Sequence, residues 1–129
     1  MVVRISSELH RQLLAAAAAS PDHEVCGLLF GDDRIDEVVP VANIADDRAC
    51  TFEIDGTALF AAIRSERAGG ARLFGYYHSH PHGPPMPSSR DALQARNDGM
   101  VWLIIGDGAV KAWLKTDDHF IEIPIAIND

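Results

Sequence analysis

The stretch YYHSHPHGPPMPSSRD, residues 76–91, holds three histidines within five residues, beside four prolines, and ends in Ser-Ser-Arg-Asp. The residues around its start, 72–80, predict a β-strand, and the Pro/Gly-rich residues 82–87 predict a loop. Ser88 can then cap a helix that continues to about Asn97. This order of strand, loop and helix decides where the polar side chains of the stretch lie relative to one another.

Two of the histidines are spaced to face the same way. Successive side chains on a strand point to opposite faces, so residues i and i+2 share one face. His78 and His80 should therefore lie side by side, with Ser79 turned away. Two imidazoles make an incomplete metal site, since a catalytic zinc usually has three protein ligands and an open position. Asp91, in the first turn of the helix after Ser88, is the natural third ligand.

Simpler interpretations of these residues stay open. Two histidines at a strand end are often surface residues, and Ser88 with Asp91 can form a capping box, although that box prefers Glu or Gln at its last position. His82 would share the face of the pair only if the strand continued past Pro81, which the following Gly and Pro residues disfavour. We interpret His82 as a rim residue that binds no metal. Three further histidines are predicted to be solvated: His10, His23 and His119.

The rest of the chain alternates short strand and helix patterns. Ser6 or Ser7 can cap a helix that continues to Ala19, and Asp55 can cap another that ends before Gly69. The apolar run at residues 25–31 predicts a buried strand that forms a hairpin with residues 34–43. This order predicts an α+β fold, a sheet flanked by helices. The remaining predicted strands are residues 2–5, a weak one at 50–54, and three closing ones at 100–106, 109–115 and 120–127.

Composition bounds the domain count and excludes some classes of partner. A chain of 129 residues is the usual size of one domain, so residues 1–129 are predicted to form a single one. Its 47% hydrophobic and 23% charged residues are typical of globular proteins with one core. The net charge of −8 argues against a nucleic-acid partner, because binding phosphates depends on Lys and Arg.

The sequence features that bear on the cellular compartment are the cysteines, an alanine-rich segment and the lengths of the apolar runs. Cys26 and Cys50 are the only cysteines and form no C-x-x-C pair, which favours reduced thiols in a cytoplasmic protein. Charged residues precede the alanine-rich residues 13–20, and the apolar residues of this segment have helical spacing. The segment therefore predicts an amphipathic helix rather than a signal peptide. No apolar run approaches the ~20 residues that span a bilayer, so no membrane partner is expected.

The spacing of the histidine stretch resembles a known motif. His78-Ser79-His80, seven residues, Ser88, two residues and Asp91 is similar to the motif of the JAMM (MPN+) metalloproteases. That motif also needs an upstream glutamate, and Glu24 in PDHEVCGLLFG is similar to it in compact prokaryotic members. PVAN and FEID resemble the segment between the two halves of the motif. The resemblance covers nearly the whole chain.

The resemblance implies a fold, a metal and a role for each motif residue. The family fold is a mixed, curved β-sheet with helices on both sides, similar to that of cytidine deaminase. His78, His80 and Asp91 would bind Zn²⁺, with water as the fourth ligand. Glu24 would be the general base toward that water and then the general acid toward the leaving amine. Ser88 would donate a hydrogen bond to the developing oxyanion.

The implied activity is zinc-dependent hydrolysis of an amide or isopeptide bond. Residues 52–78 leave no room for the insertions that grip ubiquitin in larger relatives, and compact relatives process small ubiquitin-like sulfur carriers. The substrate expected from this is the C-terminal tail of a ubiquitin-like or sulfur-carrier protein. The alternatives are a zinc peptidase or amidase with another peptide or small-molecule substrate, and a non-enzymatic MPN-type scaffold.

Some features stay open at this point. His and carboxylate ligands suit zinc but also admit iron or manganese. We interpret Cys26, which shares a strand face with Glu24, as a packing residue, because no base partner for a thiol nucleophile is identifiable. A homodimer is compatible with the sequence, which does not determine the oligomeric state.

Overall fold

A computed structural model describes all 129 residues of the chain. The chain forms eight strands and three helices, most of them where the sequence patterns predict. Ser6, Asp55 and Ser88 each cap a helix with the side chain, as their positions suggested. The elements are β1 (Val3–Ile5), α1 (Ser7–Ala18), β2 (Cys26–Phe30), β3 (Glu37–Val41), α2 (Gly56–Arg67), β4 (Leu73–Ser79), α3 (Ser89–Gln94), β5 (Val101–Gly106), β6 (Ala109–Lys115), β7 (Phe120–Ile123) and β8 (Ile125–Ile127).

Six strands form one mixed sheet in the order β3-β2-β4-β5-β6-β7. β4 and β5 run parallel, and their connection contains α3, because parallel neighbours need a crossover. The other neighbours in this sheet are antiparallel. Pro40 lies in the edge strand β3, where a missing N–H can face away from the ladder. β1 and β8 form a separate parallel pair.

The two faces of the large sheet are covered by different helices. Leu29 of β2 belongs to the same buried cluster as Leu13 of α1. The preceding residue, Leu28, packs instead with Ala62 of α2. Because successive strand residues point to opposite faces, α1 and α2 lie on opposite sides of the sheet. The predicted α+β architecture, a mixed sheet with helices on both sides, is confirmed.

Three predicted elements differ from those observed. Residues 50–54 form no strand, and only an isolated bridge joins Asn43 to Ile54. Residues 120–127 form two strands rather than one, because Pro124 interrupts the ladder and β8 pairs with β1 in the other sheet. The helix after Ser88 ends at Gln94, short of Asn97.

Neither of the two long helices, each of 12 residues, is a candidate to cross a bilayer. We find no helix in this structure with both the length and the apolar character that a membrane span requires.

Candidate active site

The two halves of the motif meet where β2 begins and β4 ends. These strands are antiparallel neighbours, and their register places Cys26 opposite His78. Glu24 lies just ahead of β2, so the same register carries it to the end of β4. The N–H of Val25 donates to the Oγ of Ser79 at 2.9 Å, which fixes this junction. Strand pairing therefore brings Glu24 to the histidines, although the two lie far apart in the sequence.

His78 and His80 lie side by side, as strand alternation predicts. Their Nε2 atoms are 3.1 Å apart. His78 is fully buried in the sheet, and its Nδ1 atom is buried without a hydrogen-bond partner. His80 uses its Nδ1 to contact the carbonyl oxygen of Pro84 at 2.8 Å. Donation of an Nδ1 proton to that carbonyl leaves the Nε2 lone pair of His80 free to bind a metal.

Asp91 contacts both imidazoles and also completes a helix cap. Its Oδ2 lies 3.1 Å from the Nε2 of His78 and 3.1 Å from the Nε2 of His80. The N–H of Ser88 donates to the same oxygen at 2.9 Å, and the N–H of Asp91 donates to the Oγ of Ser88 at 3.0 Å. The capping box and the approach to the histidines therefore coexist, and one does not exclude the other.

The donor atoms have the spacing that a tetrahedral metal requires. Three of them, two imidazole nitrogens and one carboxylate oxygen, lie 3.1 Å from one another. Tetrahedral zinc ligands at bonds of roughly 2.0–2.1 Å are separated by about 3.3 Å. Two Nε2 atoms on the same side of the strand and a carboxylate oxygen at this spacing form a donor set that suits zinc, so the residues present fit the metal.

Glu24 is a buried carboxylate without a hydrogen bond on one oxygen. The residue is 6% exposed, and its Oε1 has no partner within the protein. Burial raises the pKa of Glu24 to about 7, and the charge of Asp91 acts in the same direction. Burying a carboxylate without a hydrogen-bond partner costs free energy, which favours a functional reason for its presence. A carboxyl whose pKa lies near neutrality can both accept and release a proton.

Carboxylates from two different elements flank the histidine pair. Ligand atoms of Glu24, His78 and His80 lie within 4.8 Å of one another and form a group that could hold a metal ion. Asp91 approaches the same imidazoles from α3. The histidine pair therefore lies between two carboxylates, Glu24 on one side and Asp91 on the other, in a group that could hold a metal ion.

Protonation states in the group follow from burial and from contacts with Asp91. Burial lowers the pKa of His78, which keeps its imidazole neutral as metal binding requires. Burial also acts to lower the pKa of His80, but hydrogen bonds with Asp91 and Pro84 outweigh it and raise that pKa. Burial opposes ionisation of Asp91, yet its hydrogen bonds with both histidines hold its pKa below the usual range.

The remaining histidines and Cys26 lie in different environments. His82, His23 and His119 are exposed, and His10 is half-buried on α1. None of them belongs to the group that could hold a metal. Cys26 is buried against the backbone of Val41, and burial raises its pKa to about 12. A thiol this far from ionisation is a poor nucleophile, in keeping with a packing residue.

Two site residues were not identified from the sequence. The ring of Phe52 stacks on His78, with centroids 4.2 Å apart and planes inclined by 19°. The indole N–H of Trp113 donates to the carbonyl oxygen of Pro85 at 2.9 Å and holds the proline loop next to β6. Nothing in the strand pattern of Trp113 indicates this contact. Phe52 sits in FEID, where the resemblance gave the only signal.

The proline loop depends on a glycine in β5. A Cβ added at Gly106 would lie 2.5 Å from the carbonyl oxygen of Gly83. Gly106→Ala should therefore displace the loop and weaken the support that Pro84 gives His80. Loss of such an outer contact typically lowers metal affinity by roughly 10–100-fold, which a competitive zinc titration measures. Gly83→Ala is the matched control, since its Cβ would meet only the Cβ of His80, at 3.8 Å. Equal affinities for both variants would contradict this role.

The two cysteines should react very differently with an alkylating reagent. Cys50 is exposed and Cys26 is buried. Iodoacetamide should add one group per folded molecule, seen by intact mass, and leave metal content and any hydrolytic activity nearly unchanged. Cys50→Ser should take up no group. Rapid modification of Cys26, or inactivation of Cys50→Ser by the reagent, would indicate thiol chemistry instead.

Glu24 should make the metal-free protein less stable as pH rises. Its pKa is about 7 in the fold, above its ordinary value of 4.5. Stability linked to this group is therefore fully present below pH 4.5 and is lost as pH rises through 7. Glu24→Gln should stabilise the chelator-treated protein by up to about 3 kcal/mol at pH 8 and by little at pH 4. Urea unfolding measures both values, and equal gains at the two pH values would be the contrary result.

The α+β fold with this buried His-His-carboxylate group defines a JAMM-type metalloprotease. Residues 6–116 match the family of prokaryotic homologs of the JAB domain. The chain belongs to this family.

Named relatives and a solved structure agree with that assignment. The chain is 36% identical over 115 residues to a desampylase of Haloferax volcanii, covering 86% of this chain and 83% of the relative. It is 34% identical over 102 residues to a probable TtuB-protein conjugate cleaving protease of Thermus thermophilus, covering 79% of this chain and 68% of the relative. The crystal structure of a JAB1/MPN domain protein from Archaeoglobus fulgidus superimposes with a TM-score of 0.62 at 21% identity, covering 98% of this chain and 97% of that one. The predicted JAMM/MPN fold is thereby confirmed.

Proposed function

We propose that this protein is a zinc-dependent isopeptidase that cleaves conjugates at the C-terminal tail of a ubiquitin-like or sulfur-carrier protein. The observation that carries the proposal is the buried Glu24 carboxylate, with a free oxygen, beside two imidazoles whose Nε2 atoms converge. A scaffold has no need for an unpaired carboxylate that costs stability. Residues 1–129 would act as one catalytic domain.

His78, His80 and Asp91 would hold the zinc ion. Their three donor atoms have the mutual spacing of zinc ligands, and Glu24 then remains for proton transfer. Bound there, zinc supplies Lewis-acid polarisation and makes water a better nucleophile near neutral pH. Neutral imidazoles and an ionised Asp91 are the protonation states that such binding requires.

Glu24 and Ser88 would perform the proton and charge chemistry. Glu24 accepts a proton from the attacking water as the oxygen of that water bonds to the carbonyl carbon of the scissile amide. It then donates that proton to the amide nitrogen as the C–N bond breaks, which leaves a free amine and a carboxylic acid. Ser88 accepts the helix N–H of Asp91 with a lone pair, so its hydroxyl proton remains available for the oxyanion.

The substrate class is supported by the relatives and by the shape of the chain. Two relatives that share most of their length with this chain are a desampylase and a probable protease of TtuB-protein conjugates. The connection from Phe52 to His78 consists of α2 and β4 without a large insertion. A compact enzyme of this kind suits the narrow tail of a ubiquitin-like carrier, which can reach a site at the end of β4.

Intact-mass measurement tests the proposal. The zinc-loaded protein is incubated with a sulfur carrier that has a short extension after its C-terminal Gly-Gly, and with the same carrier joined to a lysine side chain. We expect the free carrier to appear in both reactions and to be absent when a chelator is added. If zinc is bound at one equivalent and neither conjugate is cut, the assignment is wrong. Equal cleavage of unrelated peptides would contradict the substrate class alone.

A further inference from the structure

Asn43 is the centre of the connection between β3 and α2. Its Nδ2 donates to the carbonyl oxygens of Glu24 at 2.9 Å and Thr51 at 3.1 Å. Its Oδ1 accepts from the N–H groups of Ala45 at 3.0 Å and Glu53 at 3.0 Å. Both amide protons and both lone pairs of this side chain are therefore used, which is the full capacity of an asparagine.

One side of this network holds the backbone of Glu24. The carbonyl oxygen of Glu24 accepts from Asn43, and its N–H donates to the carbonyl of Arg48 at 2.7 Å. Arg48 lies in the same connection that Asn43 organises. Glu24 precedes β2, so the sheet ladder does not hold it directly. Its position relative to the histidines therefore depends on this connection as well as on the hydrogen bonds between Val25 and Ser79.

The other side of the network holds Phe52. Asn43 bonds the carbonyl of Thr51 and the N–H of Glu53, the residues on either side of Phe52. Between them, the ring of Phe52 stacks on His78 with a centroid distance of 4.2 Å. Gln94 of α3 supports the same segment from outside, where its Nε2 donates to the carbonyl of Phe52 at 3.1 Å.

We propose that Asn43 is a positioning residue that sets Glu24 and Phe52 in place around the histidine pair. This role rests on the proposed function, because placement matters when Glu24 transfers protons. Asn43 lies outside the histidine-carboxylate group and acts on the reaction only through Glu24 and Phe52. The ligand side chains come from β4 and α3, so a change at Asn43 leaves them on their own elements.

Kinetics of two variants test the role. Asn43→Ala removes all four hydrogen bonds, and Asn43→Asp keeps the shape and both acceptor contacts but removes both donors. We expect kcat to fall by roughly 10²-fold in each, as misplacement of a catalytic group by about 1 Å does, with KM within a few-fold and one zinc retained. Gln94→Ala is the control, since it loses hydrogen bonds to the same segment but none to Glu24. Its kcat should fall less than about threefold, well short of the 10²-fold loss. Wild-type kcat in folded Asn43→Ala, or a change in KM alone, would overturn the proposal.

An NMR measurement separates this proposal from the activity itself. In the metal-free protein, stacking on Phe52 should shift the ring protons of His78 upfield, and Phe52→Leu should abolish that shift. Asn43→Ala should move the same signals toward their Phe52→Leu positions, whereas Gln94→Ala should leave them closer to wild type. If the wild-type protein cleaves no conjugate, the proposed function fails while this signal still decides the role of Asn43. If the Asn43 variants do not fold, amide exchange in wild type decides it: unprotected Ala45 and Glu53 amides would refute the network.

Discussion

Glu24→Gln is expected to retain one zinc ion and to lose turnover by roughly 10²–10⁴-fold, the range that a positioned general base contributes. The amide has the size of the carboxylate but cannot accept a proton from water. In the metal-free fold, burial raises the pKa of Glu24 to about 7, which favours uptake of a proton by this carboxylate. Single-turnover kinetics on a tail conjugate, with metal content measured on the same sample, give both values.

The metal content of this variant distinguishes a role in proton transfer from a role in metal binding. Glu24 belongs to the group whose ligand atoms could hold a metal, so a ligand role is the competing explanation. If Glu24 were a ligand, Glu24→Gln would lose zinc together with activity. Loss of zinc from the variant, or wild-type turnover with zinc retained, would each contradict the acid–base role.

Asp91→Ala is expected to lose the metal almost completely. Its Oδ2 contacts both imidazoles at 3.1 Å, and no other carboxylate hydrogen-bonds to either imidazole. Its removal should lower zinc affinity by more than the roughly 10–100-fold that loss of an outer contact costs. Activity should fall with occupancy and recover in part at high zinc concentration. A chelator competition followed by metal analysis measures the change.

Ser88→Ala is the matched control, because Asp91→Ala also removes half of the capping box. The serine variant should lose about 1 kcal/mol of stability, as loss of a helix cap does, and keep its zinc. Its turnover should fall through the missing hydrogen bond to the oxyanion. If both variants lose zinc equally, the metal depends on the helix cap, and Asp91 is no ligand.

Much of the fold follows from local patterns. The apolar run at residues 25–31 and the capping residues Ser6 and Asp55 predicted elements that the structure contains. The pairing of β2 with the next strand was also predictable, although β3 is shorter than the predicted residues 34–43. The separate pairing of β8 with β1 was not, because no local pattern indicates that Pro124 redirects the chain into another sheet.

Local sequence patterns likewise predicted part of the candidate site and not the rest. Alternation along β4 predicted that His78 and His80 lie together, and the cap at Ser88 placed Asp91 in the first turn of α3. Glu24 could not be placed by local reasoning, because its approach depends on the register of β2 against β4. The stacking of Phe52 likewise depends on an irregular connection whose conformation is set by side-chain hydrogen bonds.

We propose that one metal ion is bound by His78, His80 and Asp91, with Glu24 beside it as the proton-transfer group. Anomalous diffraction from zinc-loaded crystals, recorded on both sides of the zinc absorption edge, tests it most directly. We expect one anomalous peak at roughly 2.0–2.2 Å from both Nε2 atoms and from the Asp91 carboxylate, with Glu24 outside bonding distance. A peak bonded to Glu24 in place of Asp91, or no peak between the two imidazoles, would contradict it.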